Sequence, residues 1–177
     1  MSERFDKLTG LYTQKYLEER LQEEVLRARR YNHPLGVLMI EIDFRFFEGE
    51  YDVRANLSYT LFKQMGALLQ RLLRLVDLPG RYGGEAFLAV LPDTDEPGAL
   101  VAGQRIREEV ENHLFLGDDA VPTVRVAVSV GIGCFEKHGR NAKELISAAQ
   151  KGLQVAKGAG GNGVELCPIV LEEQAGT

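Results

Sequence analysis

Apolar residues recur along the chain in two periods, and their alternation lays out a series of helices and strands. Leu17, Leu21, Val25 and Ala28 fall on one face of a helix, with Glu18, Glu19, Glu23 and Glu24 outside that stripe. The helix should end near Asn32-His33-Pro34, because proline disfavours helical backbone in the residue before it. From Leu35 to Asp43 the run is nearly continuously apolar and ends in acids, which predicts a central strand buried on both faces. Glu41 and Asp43 share one side of it by the two-residue period. Leu57, Leu61, Met65, Leu68, Leu72 and Leu75 predict a second helix, bounded by Leu78-Pro79-Gly80. Two short β-prone runs follow, Gly80–Tyr82 and Ala86–Leu91, with Gly83-Gly84 between them. Asp93 to Pro97 reads as a helix start with capping residues and early acids, ahead of a stripe at Ala99, Ala102, Ile106 and Val110. Thr123 to Gly133 predicts another strand. Leu145, Ile146, Ala149, Leu153 and Ala156 predict a last helix from Ala142 to about Lys157, and a final strand ends near Val170. This alternation supports an α+β or α/β fold and no finer architecture.

Composition narrows the class of protein. At 177 residues with 45% hydrophobic content, the chain suits one globular domain with one core. No apolar run approaches the roughly 20 residues of a membrane span, and Met1-Ser-Glu-Arg-Phe5 has no secretory signal pattern. A cytoplasmic location is the expectation. The net charge of −5 argues against a bulk nucleic-acid binder. Cys134 and Cys167 are far apart and without metal-ligand spacing, so reduced core thiols are expected. His33, His113 and His138 are isolated, and surface or structural roles are expected for all three. Gly158 to Gly163 is glycine-rich but lacks the form of a nucleotide loop, and reads as a flexible connection.

Some residues are candidates for chemistry. Gly-Gly between strands signals a hairpin turn with positive φ, and the missing Cβ lets a large ligand approach the backbone. Glu85 then sits at the hairpin tip, where a carboxylate can face a metal; an ordinary hairpin with a solvated glutamate fits the same residues. Glu41 and Asp43 could hold a hard divalent cation through oxygen, or simply be solvated at a strand end. Arg74 and Asp77, three residues apart, are neighbours if the last helical turn persists. As a surface ion pair they would contribute about 0–1 kcal/mol. Arg105 and Arg107 could simply solvate their helix.

Arg81-Tyr-Gly-Gly-Glu-Ala-Phe87 resembles the R-Y-G-G-[DE]-E-F signature of the GGDEF (diguanylate cyclase) family, with Ala86 where the family has Glu. Asp6-Lys-Leu-Thr-Gly-Leu11 resembles that family's D-x-L-T-G-L-x-N opening, with Thr13 in place of Asn. Lys157, Gly160, Asn162 and Val164 match its closing A-K-x-x-G-R-N-x-V. The resemblance covers roughly residues 5–170. It implies a single domain over 1–170, a tail at 171–177, and an α/β (α+β) sandwich. In that fold a central, mainly antiparallel five-stranded sheet is flanked by helices, as in nucleotidyl-cyclase palm domains.

The family's enzymes join two GTP molecules into cyclic di-GMP with two divalent cations. The resemblance places the metal on Glu41, the Ile42 carbonyl and Glu85, and substrate phosphate on Lys157. Several other positions depart from it. Gly49 stands for a guanine-reading Asn, Ser58 for an Asp, Gly161 for a phosphate Arg, and Gln150 and Gln154 for Asp and Tyr. The expectation is a vestigial turn at Gly83, Gly84, Glu85 and Ala86, no cyclase activity, no required cofactor, and Mg²⁺ only at that vestigial site. R-x-x-D at Arg74 and Asp77 resembles the family's inhibitory site (I-site), which binds cyclic di-GMP. There Arg74 would contact phosphate and a guanine edge through its fork of donors, and Asp77 would accept from guanine N1–H and N2–H. Arg105 matches a second arginine that serves a ligand on a neighbouring domain. The implied function is a cyclic di-GMP receptor that acts through protein association, by a homodimer, a ligand-bridged dimer or an unidentified protein partner. Alternatives are a residual cyclase and a nucleotide-free dimerisation or docking domain.

Overall fold

Asn32, in the left-handed conformation at φ 53°, ends the first helix two residues before Pro34, where the sequence predicts its stop. The protein is represented by a computed structural model that describes residues 4–43, 58–117 and 123–169. Gly49, the side chain of Ser58, Leu57, Val170 and the 171–177 tail lie outside the described residues. In chain order the elements are α1 (Gln14–Tyr31), β1 (Leu35–Asp43), α2 (Ser58–Leu72), β2 (Leu78–Gly83), β3 (Ala86–Pro92), α3 (Glu96–Asn112), β4 (Ala127–Cys134), α4 (Ala142–Gly158) and β5 (Val164–Leu166).

The five strands form one mixed sheet in the order β2-β3-β1-β4-β5. All neighbours are antiparallel except β4 and β5. The apolar run of β1 is explained by its place at the centre, with a helix layer on each side. Leu38, Ile40 and Ile42 face a core shared with Leu61, Met65 and Leu68 of α2 and Ile106 and Val110 of α3. Val37 and Met39 face the opposite core, with Leu17, Leu21 and Val25 of α1 and Leu145, Ala149 and Leu153 of α4. Glu41 lies opposite Ala86 on β3 and Ser129 on β4, so these side chains share the α1–α4 face.

The opening hexapeptide is a built turn. The Asp6 carboxylate accepts from Thr9 N (2.9 Å) and Thr9 Oγ1 (2.7 Å), and Gly10 takes φ 72°. Leu11 is thereby sunk into the core. Tyr12 then bonds along the outer edge of β2, its N–H donating to Pro79 O and its carbonyl accepting from Arg81 N.

Several expectations are corrected. Glu24 is 7% exposed rather than outside the α1 stripe, because Arg20 and Arg27 one turn away cover and pair its carboxylate. The second helix stops at Leu72, and Leu75, expected on its buried stripe, is fully exposed at 103%. The chain must turn there to enter β2, and that turn throws Leu75 outward. Gly103 rather than Ala102 completes the fully buried face of α3. Its missing Cβ leaves room for Val164, Ile132 and Val130. β4 begins at Ala127, four residues later than expected, Val124 instead bridging to Phe115. β5 is confined to three residues ending at Leu166.

α4 begins at Asn141, whose side chain accepts from Glu144 N at 2.9 Å. Asn141→Ala removes that cap and is expected to cost about 1 kcal/mol. Thermal unfolding would then show a midpoint lower by roughly 2–4 °C.

Candidate functional site

The β2–β3 hairpin closes over Gly84 and Glu85, with Gly83 paired to Ala86. Gly83 and Gly84 take φ 94° and 50°, the left-handed backbone that the Gly-Gly signal predicts. A Cβ at Gly84 would meet nothing within 4 Å, so the tip is open above the backbone. Glu85 is exposed there, and its carbonyl accepts from Ile42 N at 3.3 Å. Since N–H and C=O of one residue point to the same neighbour in an antiparallel strand, the Ile42 carbonyl is directed to this edge as well. Glu41, Ile42 and Glu85 thus occupy neighbouring positions at the end of β1 and the hairpin tip.

The sequence resemblance implies a divalent metal at this place. Two carboxylates and a carbonyl are hard oxygen donors of the kind Mg²⁺ takes when it also keeps waters and phosphate, so the donor set fits. The Glu41 carboxylate, however, is ion-paired with Lys157 from the last turn of α4. An ammonium already neutralises the first acid, and a metal would have to displace it. Asp43 is buried beside them, accepting from Ser129 Oγ at 3.5 Å. Ala86 sets a methyl opposite Glu41, where a carboxylate would have added a charge. Gly161 adopts φ 77° in the turn after α4 and offers no side chain.

Arg74 and Asp77 lie in the turn between α2 and β2, not on the helix. The turn is held by Asp77 itself, whose Oδ2 accepts from Arg74 N at 2.8 Å. The Arg74 guanidinium bonds the same carboxylate, Nη2 to Oδ1 at 2.8 Å and Nε to both oxygens at 3.2 Å. Nη2 also reaches Pro92 O (3.0 Å) and Thr94 Oγ1 (2.7 Å). Thr94 is buried and bonds Pro92 O in turn. The Asp77 side chain is 2% exposed and that of Arg74 is 50% exposed. The hydrogen bonds that Arg74 donates to Asp77 raise its pKa above its already high ordinary value, so its charge is permanent.

These residues open on a cleft of about 230 Å³ whose lining also includes Asp93, Asp95, Val101 and Arg105. Arg105 is exposed and, among the described residues, makes no hydrogen bond or ion pair. Arg107 is instead held by Glu111 and Glu108. Arg74, Asp77 and Arg105, singled out in the sequence, thus line one cleft. Sequence reasoning missed Thr94 and the Pro92 carbonyl, which orient Arg74 from 18 to 20 residues away. Threonine after a strand carries no local sign of such a role.

Both cysteines are buried and unpaired, as expected. His33 is bonded to Asp93 at 2.6 Å, His113 packs edge-on against Phe115, and His138 accepts from Cys134 N at 2.9 Å. Burial pushes the Cys134 thiol up to about 11 from 9.0. The unfolded chain releases that proton first, so the thiol's contribution to stability is present below about pH 9 and is lost as pH rises toward 11. Unfolding midpoints measured across that window should fall more steeply for the wild type than for Cys134→Ala.

Comparison with known proteins agrees with the site's signature. The family described as diguanylate cyclase, GGDEF domain, matches residues 3–163. The response regulator PleD of Caulobacter vibrioides is 31% identical over 159 residues, covering 90% of this chain and 35% of PleD. The diguanylate cyclase DosC of Escherichia coli is 30% identical over 164 residues, covering 91% of this chain and 34% of DosC. The chain thus spans about a third of the length of these curated relatives. The GGDEF domain of TpbB (YfiN) from Pseudomonas aeruginosa has the same fold, with a TM-score of 0.83, 23% identity, and coverage of 93% of this chain and 94% of that one. The GGDEF domain of DgcB from Caulobacter crescentus, solved in complex with c-di-GMP, gives 0.80 at 18% identity, covering 93% and 96%. Among the described residues no helix is long and apolar enough to cross a membrane.

Proposed function

Because the chain belongs to the diguanylate cyclase GGDEF family, we propose that it is a catalytically inactive member that binds cyclic di-GMP in the Arg74 cleft. The observation that carries this reading is Arg105: an exposed arginine without a partner among the described residues, on the same cleft as Arg74 and Asp77. Arg74 takes the phosphate of the ligand that its own cleft holds, and Arg105 on the rim of that cleft is left for the phosphate of a further ligand molecule. Arg74 keeps Nη1 outside its bonds to Asp77, Pro92 and Thr94 and presents it to phosphate. Asp77 is buried with both oxygens taken by Arg74. Its contact to guanine N1–H and N2–H therefore requires Arg74 to release the carboxylate when ligand enters. Arg105 meets a ligand held by a second copy, giving a ligand-bridged dimer.

Inactivity rests on the other site. Glu41, the Ile42 carbonyl and Glu85 would hold Mg²⁺, which would supply charge neutralisation to a triphosphate. Lys157 and Glu41 satisfy one another, Ala86 brings no carboxylate, and Gly161 no cation. Each missing preorganised contact costs about 100-fold or more in rate, and here several are missing together.

The test is calorimetric titration of cyclic di-GMP into the wild-type chain, beside a product assay with GTP and Mg²⁺ or Mn²⁺. Micromolar or tighter binding with no cyclic product is the expected result. Absence of binding sinks the receptor reading. Turnover that Glu85→Ala abolishes would establish a cyclase instead, for which the intact turn at Gly83-Gly84 is the favouring observation.

A further inference from the structure

Outside both sites, three side chains with metal-ligating atoms meet at the end of the sheet where α3 begins. They are Glu96 on the first turn of α3, Cys134 as the last residue of β4, and His138 in the turn beyond it; their ligating atoms all lie within 4.8 Å of one another. We propose that Glu96, Cys134 and His138 form a binding site for a borderline-soft divalent cation, Zn²⁺ by the character of its donors. One sulfur, one nitrogen and one oxygen are a set that Zn²⁺ accepts in tetrahedral geometry with the fourth place left to water. The thiolate and imidazole disfavour Mg²⁺ and Ca²⁺, which take oxygen.

The three ligands are held by separate parts of the fold. Cys134 is fixed by its pairing with Gly36 on β1. His138 is tied to it twice, its N–H donating to Cys134 O and its Nδ1 accepting from Cys134 N, both at 2.9 Å. Because Nδ1 accepts a hydrogen bond, it carries no proton and turns its lone pair inward. A cation would take that lone pair in place of the N–H. Glu96 is set by the Asp95 cap of α3, which accepts from Gly98 N. Its Oε2 bonds the Lys137 ammonium, a half-exposed group that can swing to solvent when a metal replaces it. His138 also borders a cavity of about 370 Å³ shared with Asn141, Ser147 and Cys167. The sequence signal exists in hindsight: Cys134 and His138 have a C-x₃-H spacing, which pairing cysteine only with cysteine overlooks.

Binding is a proton-exchange step. Zn²⁺ forms a bond to Sγ, the S–H bond breaks, and the proton passes to buffer; His138, already unprotonated at Nδ1, gives up none. Calorimetric titration of Zn²⁺ into the full chain under a non-thiol reductant should therefore give one site per chain, with a Kd below about 1 µM. Repeating it in buffers of different ionisation enthalpy should show about one proton released per zinc. Cys134→Ser and His138→Gln should each weaken binding by about 100-fold or more, and Cys167→Ser should leave it unchanged. Co²⁺ in place of Zn²⁺ should give a thiolate-to-metal charge-transfer band in the wild type, and zinc should protect Cys134 from alkylation read by mass spectrometry. These two readouts need no folded variant. No stoichiometric binding, binding that survives Cys134→Ser, or cobalt bound without the thiolate band would each overturn the proposal.

Discussion

Titrated into Arg74→Ala, cyclic di-GMP is expected to bind at least about 100-fold more weakly than to the wild type, a loss of roughly 3 kcal/mol. The size follows from what the guanidinium does in the cleft. It supplies a permanent charge, a planar fork of donors, and the only cation bonded to Asp77 among the described residues. Removing it strands a buried carboxylate that still accepts from the backbone N–H of residue 74. An unpaired buried acceptor costs about 1–3 kcal/mol, and the charge of Asp77 puts this case toward the upper end. Arg74 is itself half exposed, so the full penalty of a deeply buried pair does not apply. The variant should therefore be less stable as well as weaker in binding, and its unfolding midpoint has to be measured alongside. Arg74→Lys separates the two effects: it keeps the charge near Asp77 and loses the fork, so stability should recover more than affinity. Arg105→Ala carries no such ambiguity, having no partner to orphan among the described residues. It should weaken binding by about 10-fold and abolish any ligand-dependent dimer in sedimentation, with the unfolding midpoint unchanged. Affinity equal to wild type in Arg74→Ala would remove the cleft from the mechanism.

Gly131→Ala is expected to be the most destabilising single methyl that can be added to the described fold. A Cβ at this position of β4 would lie 2.0 Å from both Ala149 O and Leu153 N, backbone atoms of α4. Backbone cannot rotate away as a side-chain tip can, so the helix must lift off the sheet. Gly133 makes the same contact two residues on, where a Cβ would meet Leu145 O of α4 at 2.8 Å, and Gly152 on α4 keeps the helix equally close to β5, where a Cβ would meet Glu165 O at 2.6 Å. Overpacking ordinarily costs about 1–3 kcal/mol; rigid atoms on both sides put this case at or beyond the top of that range. Thermal unfolding should show a midpoint lower by roughly 6–12 °C or more, or no folded protein at all. Since α4 carries Lys157, the Glu41 ion pair should loosen with it. A midpoint within a degree of wild type would show that the helix and strand can part at no cost.

Much of this architecture is legible because the burial is periodic. The stripe at Leu17, Leu21, Val25 and Ala28, the double-sided burial of Leu35 to Asp43, and the glycine pair at 83–84 each report a local constraint that the fold obeys. Errors arise where the deciding partner is distant. Leu75 continues a helical period, but the turn that Asp77 holds decides its fate. Glu24 looks like solvent-side charge until Arg20 and Arg27 fold over it. Arg74 and Asp77 could be singled out in the sequence, since arginine and aspartate at fixed spacing are local features. Thr94 could not, because its part depends on β3 ending beside the α2–β2 turn. The Lys157–Glu41 pair spans 116 residues, and only the packing of α4 beneath β1 brings it about.

The covering of the β2 edge by Tyr12 has a further consequence for how copies of this chain can meet. An open sheet edge is a template on which another strand can add, and repeated addition ends in insoluble fibres. On this edge the Pro79 carbonyl and the Arg81 N–H are already bonded to Tyr12, and Pro79 has no N–H to offer. At Gly80 there is no room for a substituent, with Leu17 Cδ2 2.5 Å from where a Cβ would be. The opposite edge is a strand of only three residues. Strand addition is thus blunted at both ends of the sheet, which leaves helix and loop surfaces as the places for contact. Contacts made there can form and dissolve at high local concentration without seeding aggregation.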